Sequence, residues 1–198
     1  MCMDRKADRQ YSLLIVSASE QFNTLVKRAI PSSSFEVIEV RKNISHAQRE
    51  LLSRKFDLVV INAPLPDDMG VNFSLDVADR YSSGVLLVVP GEIYDDVSQH
   101  VIDYGIICAS KPINRITVER YIRHLCSDRD RVKGLEKKIN SLDDKLNEMR
   151  IVNKAKWFLI ANENMSEEEA HRYIGKQAMD RCMSKRIIAE EIIDKWSD

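Results

Sequence analysis

The chain has 198 residues, 44% hydrophobic and 31% charged, and its 30 basic and 31 acidic side chains nearly cancel. That balance excludes a bulk electrostatic attraction to nucleic acid or to a membrane, so any such binding must come from a local cluster of one sign. No apolar run approaches the roughly 18 residues of a membrane span, and the charged start MCMDRKADRQ is followed by no signal-like apolar core, so a cytoplasmic protein that engages no membrane is expected. Cys2, Cys108, Cys126 and Cys182 lie far apart at no metal-binding spacing. Reduced thiols, no metal and no cofactor are expected.

Residues 12–18, SLLIVSA, form a short apolar run suited to a strand buried on both faces. Phe22, Leu25, Val26 and Ile30 follow at helical spacing, ended by Pro31. Residues 35–40, FEVIEV, alternate as a second strand, and Ile44, Ala47, Leu51 and Leu52 mark the inner face of a second helix. DLVVIN at 57–62, GVLLVVP at 84–90 and IICAS at 106–110 read as three more strands, with helices at about 92–103 and from 116 onward. The alternation predicts an α/β doubly wound, five-stranded parallel sheet of flavodoxin-like type. Ligand sites in such sheets lie at the carboxyl ends of the strands, here Ser17 to Ser19, Asn62 to Leu65, Val89 to Gly91, and Lys111.

Over roughly residues 10–125 this order of elements resembles the receiver domain of two-component response regulators. The resemblance rests on that order, on the proline-rich loop after DLVVIN that ends in Asp68-Met69-Gly70, and on Lys111-Pro112 after the fifth strand. It implies an acidic pair for Mg²⁺ after the first strand, a phospho-accepting aspartate ending the third, and a hydroxyl after the fourth. This chain offers Ser17, Ala18 and Ser19, with only Glu20 nearby, at the first place, Asn62 at the second, and Val89 or Pro90 at the third. An amide is a poor nucleophile and brings no charge to Mg²⁺. Asp67 and Asp68 fall too late in the loop to replace Asn62. A pseudo-receiver is therefore expected, with Ser17, Ala18, Asn62 and Lys111 as a degenerate phosphorylation pocket that takes up neither phosphate nor Mg²⁺. Lys111 is either an exposed lysine without a role or a contact to Asn62 or a small ligand.

From Thr117 a helical pattern runs without proline to about Asn162. Within it Val132, Leu135, Ile139, Leu142, Leu146 and Met149 recur at steps of 3, 4, 3, 4 and 3. That heptad seam, with Lys and Glu between, suits a parallel homodimeric coiled coil better than folding back on the α/β domain. The polar stretch Arg129 to Gly134, with its helix-weakening glycine, marks the junction. The expected domains are 1–127, the pseudo-receiver; 128–149, a coiled-coil linker helix; and 150–198, a small three-helix all-α domain.

In that last domain Ile151, Ala155, Phe158 and Leu159 form the inner face of the first segment, with Trp157 at its edge. Ser166 and Glu169 form a capping box that opens a second helix. Ala170, Tyr173, Ile174, Ala178 and Met179 are its apolar positions, with Tyr173 assigned to the core ahead of a stacking role. Ser184 caps a third helix that buries Ile187, Ile188, Ala189, Ile192 and Ile193.

About residues 145–195 resemble the ANTAR domain of transcription antiterminators. Ala155-Lys156, Met165 to Ala170, Tyr173-Ile174, Gln177-Ala178-Met179, and Arg186 followed by Ile188-Ala189-Glu190 carry the resemblance. Trp157 stands where the family usually has glycine, and Gly175 where a larger polar residue is usual. The resemblance implies a non-enzymatic RNA-binding regulator whose dimer binds tandem stem-loops in nascent mRNA, reads loop bases and prevents terminator formation. Residues 151–198 hold 8 basic and 9 acidic side chains, so binding requires segregated charge. The candidate RNA-binding residues are Lys156, Arg172, Lys176, Gln177, Arg181, Lys185 and Arg186. A regulatory protein partner is compatible with the same sequence. The alternative reading is a protein–protein interaction module in which the pseudo-receiver binds a partner or a small ligand.

Overall fold

The computed structural model describes residues 10–196. Cys2, most of the charged start, and the last two residues of the expected 150–198 domain lie outside the described residues. In chain order the elements are β1 (Tyr11–Val16), α1 (Glu20–Ala29), β2 (Phe35–Arg41), α2 (Ile44–Ser53), β3 (Leu58–Asn62), α3 (Val71–Tyr81), β4 (Gly84–Val89), α4 (Tyr94–Val101), β5 (Ile107–Ser110), α5 (Arg115–Glu163), α6 (Glu167–Asp180) and α7 (Lys185–Lys195). The chain divides into two compact units between Val132 and Lys133, within α5. Among the described residues no helix is long and apolar enough to cross a membrane.

The first unit is the parallel sheet that the alternation predicts, in the order β2-β1-β3-β4-β5. Strand periodicity of two sends successive residues to opposite faces, and both faces are buried. Leu14, Val16, Val59, Ile61, Leu87 and Val89 meet Ala47, Leu51, Phe73 and Val77 of α2 and α3 on one side. Leu13, Ile15, Leu58, Val60, Leu86 and Val88 meet Phe22 and Val26 of α1 and Val118, Ile122 and Leu125 of α5 on the other. This double burial explains why the strands read as continuous apolar runs.

Two sequence expectations change here. Leu52 is 79% exposed rather than inward, because one residue past Leu51 the helix has turned off the Ala47–Leu51 stripe. Helix α3 occupies a stretch to which no element was assigned. Its buried residues are Phe73, Ser74 and Val77, so a polar serine interrupts the inward apolar stripe. Gly70 precedes it at φ 80, a conformation that favours glycine, and donates its amide to Asp68 Oδ1 at 2.7 Å.

Helix α5 runs through Arg129 to Gly134 without interruption. A single glycine costs a helix about 1 kcal/mol relative to alanine, too little to break one so long. Arg129 Nε lies 3.7 Å from the Asp57 carboxylate at the start of β3, so this part of the polar stretch is docked on the sheet unit.

In the second unit, Ala155 and Leu159 of α5 pack with Ala170, Ile174 and Ala178 of α6 and Ile188 and Ala189 of α7. Helix α5 ends at Glu163, and the next residue, Asn164, has a left-handed φ of 54. The predicted capping box then opens α6: Glu169 N–H donates to Ser166 Oγ at 3.3 Å, and Ser166 N–H to Glu169 Oε2 at 2.8 Å. Ser184 accepts from the Ile187 amide and caps α7. Phe158 is half-buried outside this core, Ile187 is 43% exposed and Met179 is 80% exposed, against the inward positions expected for them. The small residues Ala155, Ala170, Ala178 and Ala189 bring the helices together on narrow stripes, and side chains beside a stripe are left outside.

Candidate nucleic-acid interface

The carboxyl ends of β1, β3 and β5 bring together three of the four residues of the degenerate pocket. Ser17 is fully buried and Asn62 is 6% exposed, and Asn62 Nδ2 donates to Ser17 Oγ at 3.0 Å. The same hydroxyl accepts the Ser19 amide at 3.1 Å. Lys111 reaches neither Asn62 nor a carboxylate by any hydrogen bond seen; its ammonium donates to the Ala63 carbonyl at 2.5 Å. Burial holds its pKa below the usual lysine value. Ala18 faces solvent. Asp67 turns away to α2, where it accepts the Ile44 and Ser45 amides, each at 3.1 Å. This corner joins an amide, a hydroxyl and an ammonium, with no carboxylate at the end of β3 to accept a phosphoryl group.

In the second unit a pair of cations lies along α6. Arg172 and Lys176 are one turn apart on its exposed face, with Tyr173 beside them. Together with Asn164 and Met165 they line a groove of about 400 Å³ that Glu163 and Glu169 also border. Tyr173 is 40% exposed, not in the core, because the buried stripe Ala170, Ile174, Ala178 is only one residue wide. Neither Arg172 nor Lys176 makes an ion pair among the described residues.

The other expected cations differ. Lys156 has only 14% of its side chain exposed and donates to Glu167 at 2.9 Å. That hydrogen bond, with the lysine's charge, holds the Glu167 carboxyl below its usual pKa. Arg181 grips Glu191 through both terminal nitrogens, at 2.5 and 2.8 Å, and the hydrogen bond lowers the Glu191 pKa and raises that of Arg181. Arg186 Nε donates to Glu190 at 2.8 Å. Lys185 is exposed at the start of α7 and has no ion pair among the described residues, and Gln177 is half-buried.

Residues 140–193 match the ANTAR domain. The C-terminal unit is an ANTAR domain. Across 141 residues, 71% of this chain and 68% of the relative, the protein is 23% identical to the transcriptional regulatory protein PdtaR of Mycobacterium tuberculosis (strain H37Rv). The sheet unit is similar to the signal receiver domain of an HD domain-containing protein from Pseudomonas fluorescens Pf-5, with TM-score 0.54 and 21% identity over 62% of this chain and 98% of that one. It is equally similar to a CheY-like response regulator receiver domain protein from Methanospirillum hungatei JF-1, with TM-score 0.54 and 18% identity over the same shares. These likenesses show a receiver fold.

Within the ANTAR domain, the clustering of charge in the sequence points to Lys156, Arg172, Lys176, Gln177, Arg181, Lys185 and Arg186 as the candidate set. The geometry separates Arg172 and Lys176, which share the groove with Tyr173, from Lys156, Arg181 and Arg186, which are held by acidic neighbours. Asn164 and Met165 were missed as groove residues. Their signal was the break NENMS itself, since a turn that ends one helix and caps the next exposes its polar groups beside the new helix.

Proposed function

We propose that the chain is a non-enzymatic transcription regulator whose ANTAR domain binds RNA hairpins and keeps a terminator from forming in the nascent transcript. The observation that supports this reading is the groove of α6, where two cations that make no ion pair among the described residues flank an exposed tyrosine. Single-stranded loops present unstacked bases that stack on aromatic side chains while their phosphates meet Arg and Lys. A homodimer joined along α5 offers two such grooves, so that two adjacent hairpins bind as one bivalent unit. An RNA held in that form is withdrawn from the competing terminator hairpin. Control does not run through aspartate phosphorylation, because Asn62 occupies the place of the acceptor; protein concentration or a sequestering partner sets the output, and the protein acts in the cytoplasm.

The test is a gel-shift titration against a tandem-hairpin RNA across a salt series. Binding that weakens with salt and is lost in Arg172→Ala with Lys176→Ala supports the reading; no binding to any hairpin pair refutes it.

A second reading, in which the receiver-fold unit binds a small ligand or a partner protein, is favoured by a separate cleft of about 610 Å³ lined by Tyr11, Phe35, Ile122 and Cys126 among others. That volume lies in the range of small-molecule sites. Failure to bind RNA, together with ligand-dependent thermal stabilisation of the sheet unit, would favour it.

A further inference from the structure

On α5 the side chain of Trp157 is left in the open, 71% exposed. Ala155 and Leu159, each two residues away, pack in the ANTAR core. Two residues turn a helix through about 200°, so Trp157 stands on the face opposite that core. Around it lies a shallow groove of about 610 Å³ lined by Arg150, Asn153, Lys154, Trp157, Phe158 and Ala161. Phe158 is half-buried, and Lys154 Nζ sits over its ring, 6.0 Å from the centroid. Arg150 and Lys154 are exposed, one turn apart, and make no ion pair among the described residues. The α6 groove is bordered by Glu163 and Glu169, whereas no acidic residue lines this one.

We infer that this groove is a second RNA contact and takes an unpaired nucleotide, whose base stacks on Trp157 while the adjoining phosphates meet Arg150 and Lys154. The inference rests on RNA as the ligand of the function proposed above, and names a separate surface for the single-stranded part of that RNA.

Three features select this occupant. Two cations with no carboxylate in the lining make a patch of one sign, which attracts a polyanion. An exposed indole gains most from another flat ring, and RNA offers base faces only where it is unpaired, since in a duplex they lie on one another. Aromatic rings interleaved with Arg and Lys are the combination that holds single strands with little regard to sequence. Asn153 adds a side-chain amide for a base edge. A second copy of the chain docked groove to groove would instead oppose Arg150 and Lys154 with their own counterparts, four cations together. Val132, Leu135, Ile139, Leu142, Leu146 and Met149 of the same helix are also exposed, but they carry no ring and none of them lines the groove.

The experiment is a titration of the full chain with two probes, an oligouridine, which forms no hairpin, and a blunt RNA hairpin without unpaired tails. Emission is read in a Trp196→Phe background, which leaves Trp157 as the reporter since the chain has 2 tryptophans. Oligouridine is expected to quench Trp157 saturably. Trp157→Ala is expected to weaken oligouridine binding about tenfold, the weight of one base–aromatic stack, and to leave hairpin affinity unchanged. Trp157→Phe keeps most of the affinity, because a ring remains. Arg150→Ala with Lys154→Ala reduces the salt slope for oligouridine by about 1.4, the value for two phosphate contacts on a single strand. Absence of quenching overturns the inference, as does equal loss of both probes in Trp157→Ala. So does emission that shifts to the blue with protein concentration and ignores RNA, which would mean that a second copy covers the groove. Hairpin binding without an oligouridine response sinks this contact and leaves the α6 reading standing. Quenching by oligouridine with no affinity for the hairpin does the reverse.

Discussion

The side-chain amide of Asn62 donates to the hydroxyl of Ser17 across the carboxyl ends of β3 and β1, at 3.0 Å. The hydroxyl thus takes up the amide nitrogen at the place where a receiver carries its acceptor and its metal ligands, while Asn62 Oδ1 is buried with no hydrogen-bond partner among the described residues. Lys111, whose counterpart in the receiver family belongs to the phosphorylation site, is spent on the Ala63 carbonyl. Incubation with acetyl phosphate and Mg²⁺ is expected to leave the intact mass unchanged, since neither an acceptor carboxylate at β3 nor an acidic pair after β1 is present. A phosphate adduct would show that Asp67 or Asp68 can be remodelled into an acceptor.

Asp67 has a different task. Its two oxygens accept the Ile44 and Ser45 amides at the start of α2, and Ser45 Oγ as well. Burial pushes its pKa up, but the amide hydrogen bonds outweigh this and hold the carboxyl below its usual value. A carboxyl depressed in the folded state stabilises fully above its unfolded pKa, and that contribution is lost as pH falls through the folded value. Asp67→Ala is expected to cost about 1 kcal/mol at neutral pH, and the difference from the parent is expected to shrink on acidification. Urea unfolding of both proteins at neutral and acidic pH checks this; a constant gap would mean that the carboxylate charge plays no part.

How legible all this was depends on the length of each signal. The sheet was readable because Leu13 to Val16, Leu58 to Ile61 and Val85 to Val89 are apolar without a break, and only burial on both faces explains such runs. The capping box at Ser166 and Glu169 was readable because one spacing specifies two hydrogen bonds. Helix α3 was not, with a polar serine interrupting its inward stripe, and the exposure of Tyr173 and Ile187 was not. Periodicity places a residue within about a third of a turn, and a core built on alanine stripes is narrower than that. The division among the cations was hidden for another reason. Glu191, which holds Arg181, lies on the next helix, ten residues along the chain.

Gly175 stands within α6. Nothing lies within 4 Å of the position a Cβ would take, and its backbone is helical. Gly175→Ala is therefore expected to stabilise the ANTAR domain by about 0.5–1 kcal/mol, through the entropy that glycine loses on folding. A rise in the denaturation midpoint of a fragment or full chain, followed by helical circular dichroism, would bear this out, and a fall would reveal a packing role for the bare backbone.

The thiols provide a chemical check on burial. Desolvation pushes Cys108 up to about 11 and Cys126 up to about 12, with the charges of Asp130 and Asp57 adding to the effect at Cys126. Cys182 is exposed in the α6–α7 connection. Because the thiolate is the reactive form, iodoacetamide at mildly alkaline pH is expected to label Cys182 well before Cys108 or Cys126 in the native protein. Peptide mapping by mass spectrometry over time gives the order, and early modification of Cys126 would mean that α5 opens from the sheet.

The last contrast concerns which cations meet phosphate. Each phosphate contact releases a counterion, so losing one reduces the slope of log affinity against log salt by about 1. Lys176 lines the groove beside Tyr173 and makes no ion pair among the described residues, whereas Arg181 must first leave both oxygens of Glu191. Lys176→Ala is expected to lower hairpin affinity and reduce the slope by about 1, while Arg181→Ala leaves the slope nearly unchanged. Glu191→Gln removes the competing charge, so Arg181 in that variant is expected to gain a phosphate contact and steepen the slope. If instead Arg181→Ala proves as damaging as Lys176→Ala, the Arg181–Glu191 pair must open on binding, and the RNA surface extends from the α6 groove to the start of α7.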